Sequence, residues 1–287
     1  MQAEQDTVAG TGAWIAAARA RESARPDRLF DDPWADLLAG DEGRARLAAS
    51  EGAGGENRFL PVRTRFFDDV LVEATGWATQ VVLLGAGLDT RAYRLDLPPS
   101  LHVYELDLPG PLAAKEASLR SVGARPVCER HPVAVDLRTG WSGALRDAGF
   151  DPSAPTAWLA EGLLFYLDAA SVEAMLTAAA LSGSRALLAL DTFGTGLLRL
   201  AGMQAWIEQR SRAGQPLPFC TDDPADLVRR NGWPRCDLTQ PGQSAANYGR
   251  LPPIPEDWAG GADPTLRSYL VVAASPAASP RTGASSP

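Results

Sequence analysis

Short apolar runs alternate with amphipathic segments through the middle of this chain. The runs cover residues 81–84, 101–107, 132–137, 156–161 and 185–191, and the segments between them carry apolar residues at helical spacing. Strands that are apolar throughout and alternate with helices are typical of a parallel sheet with helices on both faces. A weak strand at 236–238 and a clear one at 268–273 follow. The pattern predicts an α/β fold built on a doubly wound sheet.

Two glycines directly follow the first predicted strand. Gly85 and Gly87 carry no Cβ, so the backbone there can turn sharply and approach a ligand closely. The dinucleotide motif G-x-G-x-x-G is incomplete, because Thr90 stands where its third glycine would be. Taken alone, the turn is equally consistent with a plain connection between a strand and a helix.

Acidic residues end the apolar runs of the second to fifth predicted strands. They are Asp107, Asp136, Glu161 and Asp191. Open α/β sheets bind ligands outside the carboxyl ends of their strands, so we expect these acids to meet on one ligand-binding rim. An acid about twenty residues after a glycine turn is placed to bind ribose hydroxyls. Both Glu105 and Asp107 have that spacing from Gly87.

Ribose occurs in two cofactor classes that differ in charge. A nicotinamide dinucleotide carries a pyrophosphate, which the acidic rim and Asp89 would repel. S-adenosylmethionine carries no phosphate, and its sulfonium and α-amino groups are cations that acids attract. The residues therefore favour S-adenosylmethionine. A nicotinamide-dependent dehydrogenase and a non-catalytic cofactor-binding accessory protein are the alternatives.

Composition and charge limit the partners. A net charge of −8 and a pI near 4.9 argue against nucleic acid, because phosphate binding needs a basic face. No apolar run is long enough to span a bilayer and no secretory signal is recognisable, so we expect a cytoplasmic protein without a membrane partner. Cys128, Cys220 and Cys236 have no C-x-x-C spacing, so no metal site is predicted. The sequence leaves the oligomeric state open.

Six segments carry a resemblance to a known family. They are residues 12–22 (GAWIAAARARE), 31–35 (DDPWA), 83–95 (LLGAGLDTRAYRL), 104–109 (YELDLP), 133–138 (VAVDLR) and 158–167 (WLAEGLLFYL). With these segments the chain resembles the leucine carboxyl methyltransferase family. More narrowly, it is similar to the actinobacterial branch of S-adenosylmethionine-dependent methyltransferases that includes polyketide carboxyl O-methyltransferases. The resemblance implies a Rossmann-like class I methyltransferase fold with seven strands, the last antiparallel, and S-adenosyl-L-methionine as cofactor.

The resemblance also implies roles for individual residues. The implied cofactor contacts are Arg63 at the methionine carboxylate, Glu161 near the methionine amino group, Gly85 in the turn, Asp107 on the ribose, and Asp136 and Leu137 around the adenine.

Four further cofactor contacts are predicted beside these. Gly87 and Asp89 belong to the same turn, and Glu105 is the second ribose candidate that spacing allows, although the family pattern favours Asp107. Arg21 matches a basic N-terminal contact of the family, and Arg19 is the alternative alignment.

We expect a single methyltransferase domain over residues 1–274. It would consist of a helical cap (1–79), a cofactor-binding core (80–193), a helical lid (194–221) and the C-terminal part of the core (222–274), with a disordered tail at 275–287. Within the cap, helices are predicted at 7–24, from 32–34 onward and at 61–75, and residues 40–57 are predicted as a mobile connection between short helices.

The expected chemistry is O-methylation of a carboxylate of a small natural product, such as a polyketide-like acid. A carboxylate is already ionised at neutral pH, so positioning replaces a general base. This suits a chain whose two histidines, His102 and His131, are predicted outside the site. Tyr166 is the predicted catalytic residue, orienting the acceptor by a hydrogen bond. A peptide C-terminal carboxylate and a phenolic hydroxyl are the alternative acceptors.

An anionic acceptor needs a cation and an apolar surface near the predicted lid. The candidate cations are Arg199, Arg210, Arg212 and Arg250, and the candidate apolar side chains are Phe193, Trp206 and Trp258.

Overall fold

Seven strands form one mixed sheet in the computed structural model, which describes residues 2–52, 55–182, 185–212, 214–215, 217–257, 263 and 265–275. The strands are β1 (Gln80–Leu84), β2 (His102–Asp107), β3 (Glu129–Ala134), β4 (Thr156–Ala160), β5 (Ala186–Phe193), β6 (Arg235–Thr239) and β7 (Ser268–Ala274). Their order is β3-β2-β1-β4-β5-β7-β6. Strand β7 runs antiparallel to both neighbours, and the other pairs are parallel. The predicted seven-stranded α/β fold is confirmed.

Helices cover the sheet and extend beyond it. Those within the described residues are α1 (Gln2–Ser23), α2 (Ala35–Glu51), α3 (Phe59–Ala74), α4 (Arg91–Arg94), α5 (Pro109–Ser121), α6 (Trp141–Asp147), α7 (Ala169–Ala180), α8 (Ala201–Arg212) and α9 (Pro224–Arg230). None of these helices is long and apolar enough to cross a bilayer. The predicted tail lies outside the described residues except for Ser275, which accepts a hydrogen bond from the Ala186 N–H.

The predicted mobile connection at 40–57 is wrong over most of its length. Helix α2 runs to Glu51 and packs along α1, because Leu38 and Leu47 join Ala16 in an apolar cluster between the two helices. A kink at Gly40, whose φ is 55°, divides α2 and explains why the pattern suggested a break.

Alternating side chains of the central strands fill two apolar cores. Val82 and Leu84 pack on one face of the sheet with Trp158, whereas Val81 packs on the other face with Phe66 of α3. The central strands are therefore buried on both faces of the sheet, which is why their apolar runs are nearly continuous. Because α3 packs directly against the sheet, the α1–α2 pair forms the outer part of the predicted cap.

Two of the four acids do not end their strands as predicted. Strand β3 stops at Ala134, so Asp136 lies in the loop that follows. Strand β5 continues through Phe193, because antiparallel pairing with β7 extends it and places Asp191 opposite Leu270.

Candidate active site

A cavity opens above the carboxyl ends of β1, β2 and β4. The turn after β1 forms its floor, the loop after β3 and the segment after β4 form its walls, and α1 covers one side. The polar and charged side chains in its lining are Arg19, Arg63, Asp89, Asp107, Asp136, Arg138, Glu161 and Tyr166. The expected rim thus exists at the end of the sheet where α/β proteins bind ligands.

The glycine turn has a backbone that other residues would not adopt easily. Gly85 and Gly87 have φ values of 66° and 44°, in the left-handed region. A Cβ on Gly85 would lie 2.7 Å from Cδ1 of Leu163, so a side chain there would clash with the wall after β4. The turn leaves an open backbone surface facing the cavity, which fits close approach of a cofactor.

Asp107 fixes the shape of that turn. Its Oδ2 accepts a hydrogen bond of 2.6 Å from the Gly87 N–H, and its Oδ1 accepts one of 2.6 Å from the Leu108 N–H. Burial raises the pKa of Asp107, while the two backbone N–H groups act in the opposite direction. Each oxygen retains a lone pair for a ligand hydroxyl, so the carboxylate fits the predicted ribose contact.

Glu105 does not reach the cavity, so the structure contradicts its prediction as a ribose contact. Its side chain is fully buried, and its Oε2 lies 2.6 Å from both Lys115 Nζ and Arg130 Nη2. Glu105 and Asp107 share a face of β2, but Glu105 lies two residues, or about 6.6 Å, farther from the strand end. The ribose candidate is therefore Asp107.

The acids around the site alternate with buried arginines. Arg63 Nε lies 3.0 Å from Glu161 Oε1, and Arg63 Nη1 lies 3.0 Å from Asp191 Oδ2. Arg91 Nη2 contacts Glu161 Oε2 at 2.7 Å, and Arg91 Nε contacts Asp68 at 2.7 Å. Burial opposes ionisation of Glu161, but Arg91 and Arg63 outweigh it and lower its pKa.

The prediction that all four acids meet on the rim is wrong for Asp191. Asp191 is buried within β5, where it also accepts the Gly162 N–H at 2.6 Å, and it is absent from the cavity lining. Burial raises the pKa of Asp191 against the opposing effect of Arg63. Because arginines neutralise most of these acids, charge repulsion alone is a weaker argument against a pyrophosphate than the sequence indicated.

Asp89 lies at the end of the turn and lines the cavity. It accepts hydrogen bonds from the backbone N–H and the guanidinium of Arg91. Burial alone would raise the pKa of Asp89, but Arg91 and Lys115 outweigh burial and lower that pKa to about 2.

The structure brings Arg19 to the cavity in place of Arg21. Arg19 donates through Nε to Asp32 at 2.9 Å and through Nη2 to the Leu88 carbonyl at 2.6 Å. Arg21 points away and binds Glu51 at 2.6 Å. Two residues along a helix differ by about 200° in direction, so only one of the two arginines can face the turn.

The loop after β3 carries the predicted adenine contacts into the lining. Leu137 is buried there, and Asp136 binds Arg138 at 2.7 Å. The Arg138 hydrogen bond is the main cause of the lowered pKa of Asp136, and burial opposes it.

Tyr166 lines the cavity beside the predicted lid. Its ring meets Trp206 of α8 edge-on, with centroids 6.2 Å apart. The buried guanidinium of Arg210 lies over both rings, 5.5 Å from the Tyr166 centroid and 5.2 Å from that of Trp206. Trp206 and Arg210 therefore pack on Tyr166 at this end of the cavity, although neither is part of the cavity lining.

The other predicted acceptor contacts have different surroundings. Arg199 and Arg212 form ion pairs with Asp263 and Glu208, while Arg250 binds Glu22 at 2.7 Å. These arginines lie outside the cavity lining. Of the predicted apolar contacts, Phe193 stacks on Phe165, with ring centroids 4.6 Å apart. Trp258 lies outside the described residues.

Sequence reasoning missed Arg91 and Lys115 as parts of the site. Arg91 ends the quoted turn segment, and Lys115 is the only lysine in the chain. The presence of a single lysine was the available signal.

Comparison with known proteins assigns the family. Residues 13–180 match the family model described as leucine carboxyl methyltransferase. The chain belongs to this family. A provisionally named S-adenosyl-L-methionine-dependent methyltransferase of Saccharopolyspora erythraea is 40% identical over 85% of this chain and 90% of the relative. Another of that description, from Streptomyces avermitilis, is 37% identical over 91% of this chain and 98% of the relative. This family member is thus a methyltransferase that uses S-adenosyl-L-methionine.

Solved structures agree on the fold. A provisionally named methyltransferase from Thermobifida fusca has a TM-score of 0.56 and 17% identity, covering 89% of this chain and 93% of that chain. A DUF574 family protein from Streptomyces avermitilis has a TM-score of 0.56 and 15% identity, and the match covers 91% of this chain and 97% of that chain. At these identities the similarity between this methyltransferase and the two solved structures shows a shared fold and no more.

Proposed function

We propose that this methyltransferase esterifies a carboxylate of a small natural product. The observation that carries the proposal is the chemistry of the cavity lining. Across the described part of the chain, that lining contains no histidine, cysteine or lysine. His102 on β2 and His131 on β3 lie outside the lining, where His102 Nδ1 is 3.1 Å from His131 Nε2. The carboxylates of the lining are each engaged by an arginine or a backbone N–H, so an acceptor that must lose a proton would find no unengaged base among them, whereas a carboxylate needs none.

The residues of the lining fit the cofactor. Asp107 would bind the ribose hydroxyls, and Leu137 with Asp136 would enclose the adenine. Arg63 and Glu161 present opposite charges 3.0 Å apart, which suits the carboxylate and the ammonium of the methionine part. When bound, S-adenosylmethionine supplies a methyl group activated by a sulfonium.

Reaction at this site requires alignment more than proton transfer. With a carboxylate as acceptor, the cofactor would supply its methyl group to an oxygen that is already ionised, so no residue of the lining would need to move a proton. Holding the reactants in line and away from water contributes about 7–11 kcal/mol in well-oriented systems. We assign that positioning to the cavity walls and to Tyr166.

The aromatic end of the cavity is the proposed acceptor subsite. The Tyr166 hydroxyl would hydrogen-bond the acceptor, and the guanidinium of Arg210 would attract its negative charge. Trp206 offers an apolar surface next to both groups. This combination supports a small organic acid with an apolar body.

The stability of the product to alkali tests the proposal. The enzyme is incubated with methyl-labelled S-adenosylmethionine and a small-molecule extract, and the labelled products are treated with mild alkali. A methyl ester releases volatile labelled methanol, whereas a phenol ether or a methylated amine retains the label. Release of most of the label as methanol is expected. Labelled product that resists alkali would contradict carboxyl methylation.

A further inference from the structure

Lys115 is an unusual residue in this chain. Lysine and arginine together number 27, and Lys115 is the only lysine. Its side chain lies on α5 and is completely buried, with no exposed surface. A lysine is rarely buried fully unless its charge is compensated and its donors are used.

The ammonium group of Lys115 connects three elements. Nζ lies 2.6 Å from Oε2 of Glu105 on β2. It also donates a hydrogen bond of 2.9 Å to the backbone carbonyl of Asp89, the last residue of the glycine turn. The side chain thereby ties α5 and β2 to the floor of the cofactor cavity.

The contact with Asp89 distinguishes Lys115 from its neighbour Arg130. Arg130 Nη2 also lies 2.6 Å from Oε2 of Glu105, so the buried acid has a second cationic partner. Arg130 makes its other ion pair with Glu116, away from the turn. The two cations thus share one acid, and of the two only Lys115 bonds the turn carbonyl.

We propose that Lys115 is a positioning residue for S-adenosylmethionine. It holds the Asp89 end of the turn, while Asp107 holds Gly87 from the other side through a bond of 2.6 Å. With both anchors in place, the backbone from Gly85 to Asp89 keeps the shape that lines the cavity. Lys115 touches neither the cofactor cavity nor the acceptor, so it acts through the turn.

Two matched variants distinguish an effect of Lys115 on cofactor binding from an effect on the stability of the fold. Lys115→Met and Arg130→Met each remove one cation from Glu105, but only the first removes the bond to the turn. We expect both to lower the melting temperature. Calorimetry with S-adenosylmethionine should show a Kd about tenfold higher or more for K115M, the size of a lost charged hydrogen bond. The Kd of R130M should stay within about twofold of the wild-type Kd.

A double variant keeps the test decisive if K115M folds poorly. Lys115→Met combined with Glu105→Gln removes one buried charge of each sign, so the cluster keeps its charge balance and Arg130 keeps its ion pair with Glu116. We expect it to regain melting temperature without regaining affinity for S-adenosylmethionine. If affinity returned with stability, or if R130M lost as much affinity as K115M, Lys115 would have only a structural role.

Discussion

The carboxylate of Asp89 contributes stability that depends on pH. Arg91 and Lys115 hold its pKa at about 2 despite burial, compared with an ordinary value of 3.8. A folded-state pKa below the unfolded value favours the folded state above the unfolded pKa, and this contribution is lost as pH falls through the folded pKa. This lowering of the Asp89 pKa corresponds to about 2 kcal/mol of folding stability at neutral pH.

Asp89→Asn removes this charge and keeps the shape of the side chain. We expect the free energy of unfolding to fall by about 2 kcal/mol at pH 7. The loss should narrow to about 1 kcal/mol at pH 3, because the wild-type carboxylate is then mostly protonated in the unfolded chain but still mostly ionised in the folded protein. Urea unfolding of both proteins at the two pH values measures the difference.

An exposed acid provides the control for the Asp89 experiment. Asp41 lies at the surface and forms an exposed ion pair with Arg44, so Asp41→Asn should change stability little at either pH. A deficit of D89N that is equal at pH 7 and pH 3 would refute the electrostatic account of this turn.

Three further substitutions test the geometry of the site. Asp107→Asn should raise the Kd for S-adenosylmethionine about tenfold or more in calorimetry, because the charged acceptor for the ribose is lost, and a change within twofold would contradict that role. Gly85→Ala should lower the free energy of unfolding by about 1–2 kcal/mol in urea, since the new Cβ meets Leu163 at a positive φ. Gly110→Ala, where a Cβ meets open space, is its control and should be neutral or slightly stabilising. Tyr166→Phe should lower the rate of labelled ester formation about tenfold with an unchanged Kd for S-adenosylmethionine, whereas a full rate would remove Tyr166 from the acceptor subsite.

The sheet was predictable because its central strands β1, β4 and β5 are mostly apolar, a pattern that the local sequence displays directly. The full length of helix α2 was not predictable, because Gly40 and the charged residues of this segment resemble a loop. Its helical form depends on the packing of Leu38 and Leu47 against α1. That packing involves residues distant in sequence. No local pattern reveals it.

The site was predictable in its location more than in its contacts. Sequence spacing could not distinguish Glu105 from Asp107 as the ribose contact, because strand periodicity places both on one face of β2. They differ only in their distance from the carboxyl end of the strand. The arginine partners of the acids were also hidden. Arg63 reaches Asp191 across 128 residues of sequence, and such a pairing follows from the assembled fold.

The central claim is that the glycine turn and Asp107 hold the cofactor in the cavity beneath α1. The most direct measurement is a crystal structure of the protein with S-adenosylhomocysteine. We expect the ribose hydroxyls on the Asp107 carboxylate, the adenine beside Leu137, and the sulfur directed toward Tyr166. A nucleoside bound elsewhere, or a ribose that makes no contact with Asp107, would contradict the account.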